Sequence, residues 1–122
     1  MKYWDPKPGE YADIDSRAKF RVRLAEVLAL ANKCLARTPG DPALASIARQ
    51  LEAMTRNTAN DRDPTETERR GISAGVIAVR ELRGSPDNDV AKLDDAIHAV
   101  VTFYSDWPED SVAAALAVGG RQ

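Results

Sequence analysis

The sequence predicts an all-α fold, an antiparallel bundle of four main helices followed by a short C-terminal helix. Apolar residues recur at steps of three and four along most of the chain, which is the spacing that lines one face of an α-helix. Proline, glycine and capping residues separate these periodic stretches, and no stretch alternates apolar with polar residues as a strand does. Because the connections between the stretches are short, neighbouring helices are expected to run antiparallel.

The first two helices are predicted over residues 16–37 and 42–57. Their apolar faces consist of Phe20, Leu24, Val27, Leu28, Ala31 and Leu35 in the first, and Leu44, Ile47, Ala48, Leu51 and Met54 in the second. Pro39 and Gly40 end the first helix, because proline disfavours helical geometry in the residue before it and glycine tolerates the turn that follows. Asp41 then supplies an N-cap with proline at the first helical position, which is a common helix start.

The third helix is predicted over residues 64–83, where Asp63 and Pro64 repeat that start signal and Glu66 follows three residues after the cap. Small residues stand in it where leucine would be usual: Gly71, Ser73, Ala74, Gly75 and Ala78. Two glycines inside a helix cost about 1 kcal/mol each relative to alanine, so a compensating contact is expected. Close approach of another helix of the bundle is the favoured interpretation, and a shallow groove for a partner's side chain is the alternative.

The fourth helix is predicted over residues 86–105, and a short final helix begins at Asp110. The apolar face of the fourth helix consists of Val90, Leu93, Ile97, Val100, Val101 and Tyr104. Trp107 and Pro108 interrupt the pattern, and Gly119 with Gly120 ends the last helix. Residues 1–15 show no periodicity, so we predict an irregular N-terminal arm followed by a single helical domain over residues 16–122.

The composition is that of one globular domain that folds without a partner, with 122 residues of which 43 % are hydrophobic and 30 % charged. Its 17 basic and 19 acidic residues give a net charge of -2, which argues against nucleic acid or an anionic membrane as a partner. No apolar stretch approaches the roughly 20 residues of a membrane span. The single cysteine, Cys34, excludes an internal disulfide, and a cytoplasmic location is expected.

The side-chain inventory argues against an enzyme. The sequence contains one histidine, His98, so every possible Cys–His pair, Ser–His pair or His/Cys metal cluster would have to use the same imidazole. His98 lies one step off an apolar helix face and is interpreted as a structural residue. The acidic group around Asp87, Asp89, Asp94 and Asp95 is interpreted as a solvated helix face. No catalytic residue, cofactor or metal site is therefore predicted.

One segment resembles a known family. Residues 72–82 read Ile-Ser-Ala-Gly-Val-Ile-Ala-Val-Arg-Glu-Leu, which is similar to the hallmark helix of small bacterial immunity proteins that neutralise an NAD(P)-hydrolysing toxin delivered by the type VI secretion system. The resemblance extends in order and spacing from about Leu28 to Val101. It includes the turn over residues 35–40, the pairs Gln50-Leu51 and Asp61-Arg62, and the triplet Asp94-Asp95-Ala96.

The resemblance implies a non-enzymatic antitoxin that binds a cognate toxin and blocks its active site. Whether the chain forms a homo-oligomer is left open by the sequence. It supports an immunity role better than a particular toxin, because the residues before Asp15 and after Trp107 have no counterpart in the family pattern. The candidate toxin-binding residues, all expected at the surface, are Arg80, Glu81, Asp87, Asp89, Asp94 and Asp95. The alternatives are a small helical adaptor or regulatory module unrelated to toxins, and an enzyme that uses a carboxylate pair.

Overall fold

The computed structural model describes residues 11–119, and it confirms an all-α packed bundle with a short C-terminal helix and no strand in that range. Its helices are α1 (Arg17–Arg37), α2 (Pro42–Asn57), α3 (Glu66–Arg70), α4 (Ala74–Ile77), α5 (Asn88–Asp106) and α6 (Asp110–Gly119). A 3-10 turn spans Ala59–Asp61, and a π-helix over Ala78–Leu82 continues directly from α4. None of the helices in the described range is both long enough and apolar enough to cross a bilayer.

The predicted starts of α1 and α2 are confirmed by the capping bonds. The Ser16 hydroxyl accepts a hydrogen bond from the backbone N–H of Lys19 at 3.0 Å. The Asp41 carboxylate accepts bonds from the N–H groups of Ala43 and Leu44 at 2.9 and 3.2 Å, and Pro42 occupies the first helical position. Each cap satisfies backbone donors that have no partner inside the helix.

The predicted continuous third helix is wrong, because Gly71, Ile72 and Ser73 interrupt it. The predicted start with Asp63 as the cap and Glu66 three residues later is also wrong, because Thr65 caps α3 and forms a capping box with Glu68, and the helix ends after one turn. The Ser73 N–H then donates to the Gln50 side-chain oxygen at 2.7 Å, and the Gln50 amide donates to the Ser73 hydroxyl at 3.1 Å. These bonds from α2 replace the intrahelical bond that Ser73 would make in an unbroken helix.

The core lies between α1, α2 and α5, and an aromatic cluster closes one end of it. Phe20 stacks on Phe103 with the ring centroids 5.2 Å apart, and Trp107 meets Phe20 edge-on at 5.4 Å. Tyr11 and Ile14, from the predicted irregular arm, are buried against the same core, whereas residues 1–10 lie outside the described residues. These two side chains are therefore part of the same hydrophobic core.

Arg17 holds the start of α6 against α1. Its guanidinium donates to the carbonyls of Trp107 and Pro108, each at 3.0 Å, and its backbone N–H donates to the Asp110 carboxylate at 2.8 Å. Trp107 ends α5 in the left-handed conformation, with φ at 42°, and so turns the chain back toward α1.

Candidate functional site

Two clefts lie side by side at the end of the bundle where α1 and the π-helix finish and α2 and α5 begin. The larger has a volume of about 500 Å³ and is lined by Asp41, Pro42, Ala43, Ser46, Ile77, Arg80 and Glu81. The smaller, of about 240 Å³, is lined by Cys34, Arg37, Thr38, Asp41, Leu44, Glu81, Leu82, Ser85, Asp87 and Val90. The clefts meet at Asp41 and Glu81, which line both.

The π-helix forms one wall of both clefts and divides its side chains sharply between core and solvent. Ala78 and Leu82 are buried, whereas Val79, Arg80 and Glu81 between them are exposed. The N–H of Arg83 donates to the Ala78 carbonyl at 3.2 Å, an i to i+5 bond that widens the turn. Such π segments are rare and occur frequently at functional sites.

Two exposed valines extend this surface. Val76 is 60 % exposed and Val79 is 45 % exposed, and they lie three residues apart on α4 and the π-helix. The sequence interpretation placed both on a continuous amphipathic helix and did not single them out. The sequence does contain a signal for their exposure. Ala74, Ala78 and Leu82 recur every four residues and are buried, and neither valine falls at one of these positions.

Asp87 and Asp89, two of the predicted site residues, are engaged in ion pairs with α1. Arg37 lies 3.1 Å from Asp87 and 3.2 Å from Asp89, and Lys33 lies 3.3 Å from Asp89. Asp87 also caps α5, and hydrogen bonds from the N–H groups of Val90 and Asp89, together with Arg37, lower the pKa of its carboxyl. Both aspartates therefore fasten the start of α5 to the end of α1.

Asp94 was expected at the surface, and that expectation is wrong: the residue is only 6 % exposed. Its carboxylate accepts hydrogen bonds from Arg83 Nε and Nη2 at 3.2 and 3.4 Å, and His98 Nε2 lies 3.1 Å from Asp94 Oδ1. Burial raises the pKa of Asp94, but the bonds from Arg83 and His98 outweigh burial and lower it overall. The cluster ties the end of the π-helix to α5, which is the structural role expected of His98.

The other three predicted residues are free to meet a partner. Arg80, Glu81 and Asp95 are exposed, and none of their side chains makes a hydrogen bond or an ion pair with another residue of the range 11–119. Arg80 and Glu81 line the larger cleft, whereas Asp95 lies on α5 away from both clefts. The structure thus divides the six predicted residues into three that stabilise the framework and three unpaired surface charges.

Gly75 and Gly71 have different surroundings. A Cβ added to Gly75 would lie 3.6 Å from Val101 Cγ1 and 3.7 Å from His98 Nδ1, so α4 packs closely on α5 at this position. A Cβ added to Gly71 would meet only the carbonyls of its own helix, because Gly71 caps α3. Close helix contact is therefore confirmed for Gly75 but is wrong for Gly71.

Groups with catalytic chemistry are not assembled at these clefts. In the part of the chain that the structure describes, no cluster of three or more His, Cys, Asp or Glu side chains could hold a metal ion. Cys34 is buried, and burial raises the pKa of its thiol. The arrangement is suited to binding, with apolar side chains and unpaired charges around a concave surface.

A comparison with known protein families agrees with a role in binding. The Tsi6 family model matches residues 21–106, which are 86 of the 122 residues and run from α1 to the end of α5. No curated protein and no solved structure gives a significant match. The match contains the stretch from Leu28 to Val101 on which the predicted resemblance rests, and it leaves out residues 1–20 and α6. The chain therefore belongs to the Tsi6 family, the type VI secretion immunity proteins, which inhibit an effector without being enzymes.

Proposed function

We propose that this immunity protein binds the toxin domain of its cognate effector through α4 and the π-helix, and that it inhibits the toxin by covering the active-site cleft. The observation that carries the proposal is the combination of exposed Val76 and Val79 with Arg80 and Glu81, whose side chains are unpaired and line the larger cleft, on one continuous stretch of α4 and the π-helix. Exposed apolar side chains next to unpaired charges are the features that bury well against a complementary surface.

The two exposed valines supply part of the binding energy of such a complex. A stable interface buries about 1,200–2,000 Å² in total, and full burial of one valine contributes about 1.5 kcal/mol or more. The unpaired charges add specificity and accelerate association. In this proposal Arg80 and Glu81 contact the toxin and Asp95 is a peripheral contact. Asp87, Asp89 and Asp94 act indirectly by holding the surface in place.

We also propose that the toxin hydrolyses NAD(P). The resemblance of residues 72–82 to the hallmark helix of immunity proteins against such toxins supports this assignment, since that segment forms the proposed contact surface. The segments outside the family match, residues 11–20 and α6, lie at the aromatic end of the bundle and do not line either cleft.

Co-expression with the effector encoded beside this protein tests the contact surface. The wild-type chain should protect cells and bind the toxin domain, whereas Val79→Asp should lose both properties. Val22→Asp is the matched control, because Val22 is 56 % exposed but lies on α1, outside the proposed contact surface of α4 and the π-helix. Circular dichroism should show that both variants remain folded. Full protection by Val79→Asp would place the interface elsewhere, and failure of the wild-type chain to bind would refute the immunity proposal in favour of an adaptor.

A separate measurement tests the toxin's chemistry. Cells that express the effector alone should lose NAD⁺ and NADP⁺, and equimolar immunity protein should prevent that loss. Killing without any fall in either pool would refute NAD(P) hydrolysis, while protection and binding would continue to support the immunity role.

A further inference from the structure

We propose that the effector inserts a cationic side chain, arginine or lysine, between Asp41 and Glu81 where the two clefts meet. This inference rests on the proposed function, and it specifies the chemistry of the partner group that the clefts receive. It follows from three observations: the carboxylates at the junction, the positions of the nearby cations, and the apolar wall of the larger cleft.

The two carboxylates at the junction are available to a partner. Asp41 uses Oδ1 to cap α2, which fixes the side chain in place, and its Oδ2 accepts no hydrogen bond from the described residues. Glu81 is exposed and makes no ion pair in the same range. A cation bound where the two clefts meet could therefore pair with these carboxylates without breaking an existing interaction.

The cations of this chain do not neutralise the junction. Arg80 lines the larger cleft and Arg37 the smaller one, but neither arginine forms an ion pair or a side-chain hydrogen bond with Asp41 or Glu81 among the described residues. Arg37 is also held by Asp87 and Asp89, at 3.1 and 3.2 Å. The junction thus carries two negative charges that are left for a partner to pair.

An anionic partner group is disfavoured here, although the start of a helix is usually a good anion site. The N–H groups of Ala43 and Leu44, which an anion would need, already donate to Asp41. An anion would also lie against the Asp41 carboxylate, and like charges in contact repel.

The apolar wall of the larger cleft fits the remainder of an arginine or lysine side chain. Pro42, Ala43 and Ile77 line the cleft beside the junction. Long basic side chains lay their methylene stems along apolar surface while the charged head reaches a polar group. The cleft offers both parts in one place, an apolar wall followed by two carboxylates.

Binding kinetics with the purified toxin domain of the cognate effector test the inference, using Asp41→Asn, Glu81→Gln and Glu81→Lys. Asparagine retains the capping oxygen, so Asp41→Asn should fold normally, which a denaturant melt verifies. Each neutral variant should weaken binding about tenfold, and Glu81→Lys should weaken it further. The matched control is Glu52→Gln, an exposed acidic residue of α2 outside both clefts, which should bind like the wild-type chain.

The outcomes separate this inference from the function on which it rests. Tight binding by the wild-type chain with unchanged affinity in all three variants would refute the insertion of a cationic side chain and would leave the immunity proposal intact. Tighter binding by Glu81→Lys would also overturn it, because that result requires an anionic partner group. Absence of binding by the wild-type chain would overturn both proposals.

Discussion

Replacement of Asp94 by alanine removes the carboxylate that joins the π-helix to α5. Arg83 and His98 then lose the hydrogen-bond partner that they share. Breaking a buried ion pair costs about 3–5 kcal/mol when the remaining charge stays buried. Here the Arg83 side chain is 57 % exposed and that of His98 is 35 % exposed, so water can solvate both after the substitution. A hydrogen bond to a charged group contributes about 1.5–3 kcal/mol, and we expect Asp94→Ala to lower the free energy of unfolding by about 2 kcal/mol.

The stabilisation by Asp94 should depend on pH in a defined direction. The pKa of Asp94 is lower in the folded chain than in the unfolded chain, so its contribution is fully present above the unfolded pKa of about 3.9. The contribution is lost as the pH falls below that value, through the folded pKa. Asp94→Asn removes the titrating group and is the appropriate reference, because the lowered pKa values of Asp87 and Glu68 affect both proteins equally.

Urea unfolding followed by circular dichroism, at several pH values from 7 to 3, measures this difference. The stability gap between the wild-type chain and Asp94→Asn should shrink as the pH falls below about 4. A gap that stays unchanged down to pH 3 would refute the ion-pair explanation. Wild-type stability in Asp94→Ala would refute the structural role of the cluster altogether.

Three further substitutions test the packing, each by urea unfolding. Gly75→Leu should cost about 1–3 kcal/mol by overpacking against Val101 and His98, whereas Gly75→Ala should be tolerated; an unchanged midpoint in Gly75→Leu would favour an open groove. Gly84 has φ at +80°, so Gly84→Ala should cost about 1 kcal/mol through backbone strain, and no loss would contradict that geometry. Phe20→Ala should cost about 3–5 kcal/mol by opening a cavity in the aromatic cluster, and a loss below 1 kcal/mol would show that the cluster collapses around it.

Local sequence patterns were sufficient to predict α1, α2 and α5. Their apolar faces and the caps at Ser16, Asp41 and Asp87 depend on neighbours within one or two helical turns, which the sequence displays directly. The break before Ser73 was not predictable in this way, because the group that stabilises it is the side chain of Gln50, 23 residues earlier in the chain. Periodicity contains no information on such a contact.

The candidate site shows the same limit. Glu81 and Arg80 were identified correctly as surface residues because their charge and position suffice for that prediction. Asp94 was misplaced because its helical position borders the apolar face, and only the folded chain shows that Arg83 and His98 approach it there. Asp41 was interpreted solely as a helix cap, since the cleft that it lines forms only when α2 packs beside the π-helix. Whether these residues contact a toxin remains a prediction.

The alternation of buried and exposed positions in the π-helix has a consequence for how such a protein changes over generations. Ala78 and Leu82 belong to the core, while Val79, Arg80 and Glu81 are exposed, and the side chains of Arg80 and Glu81 form no hydrogen bond or ion pair with the described residues. Substitutions at exposed positions of this kind usually alter stability by less than about 0.5 kcal/mol. In the proposed interface, a lineage under attack by an altered effector could therefore exchange these three side chains one at a time while the folded bundle is retained.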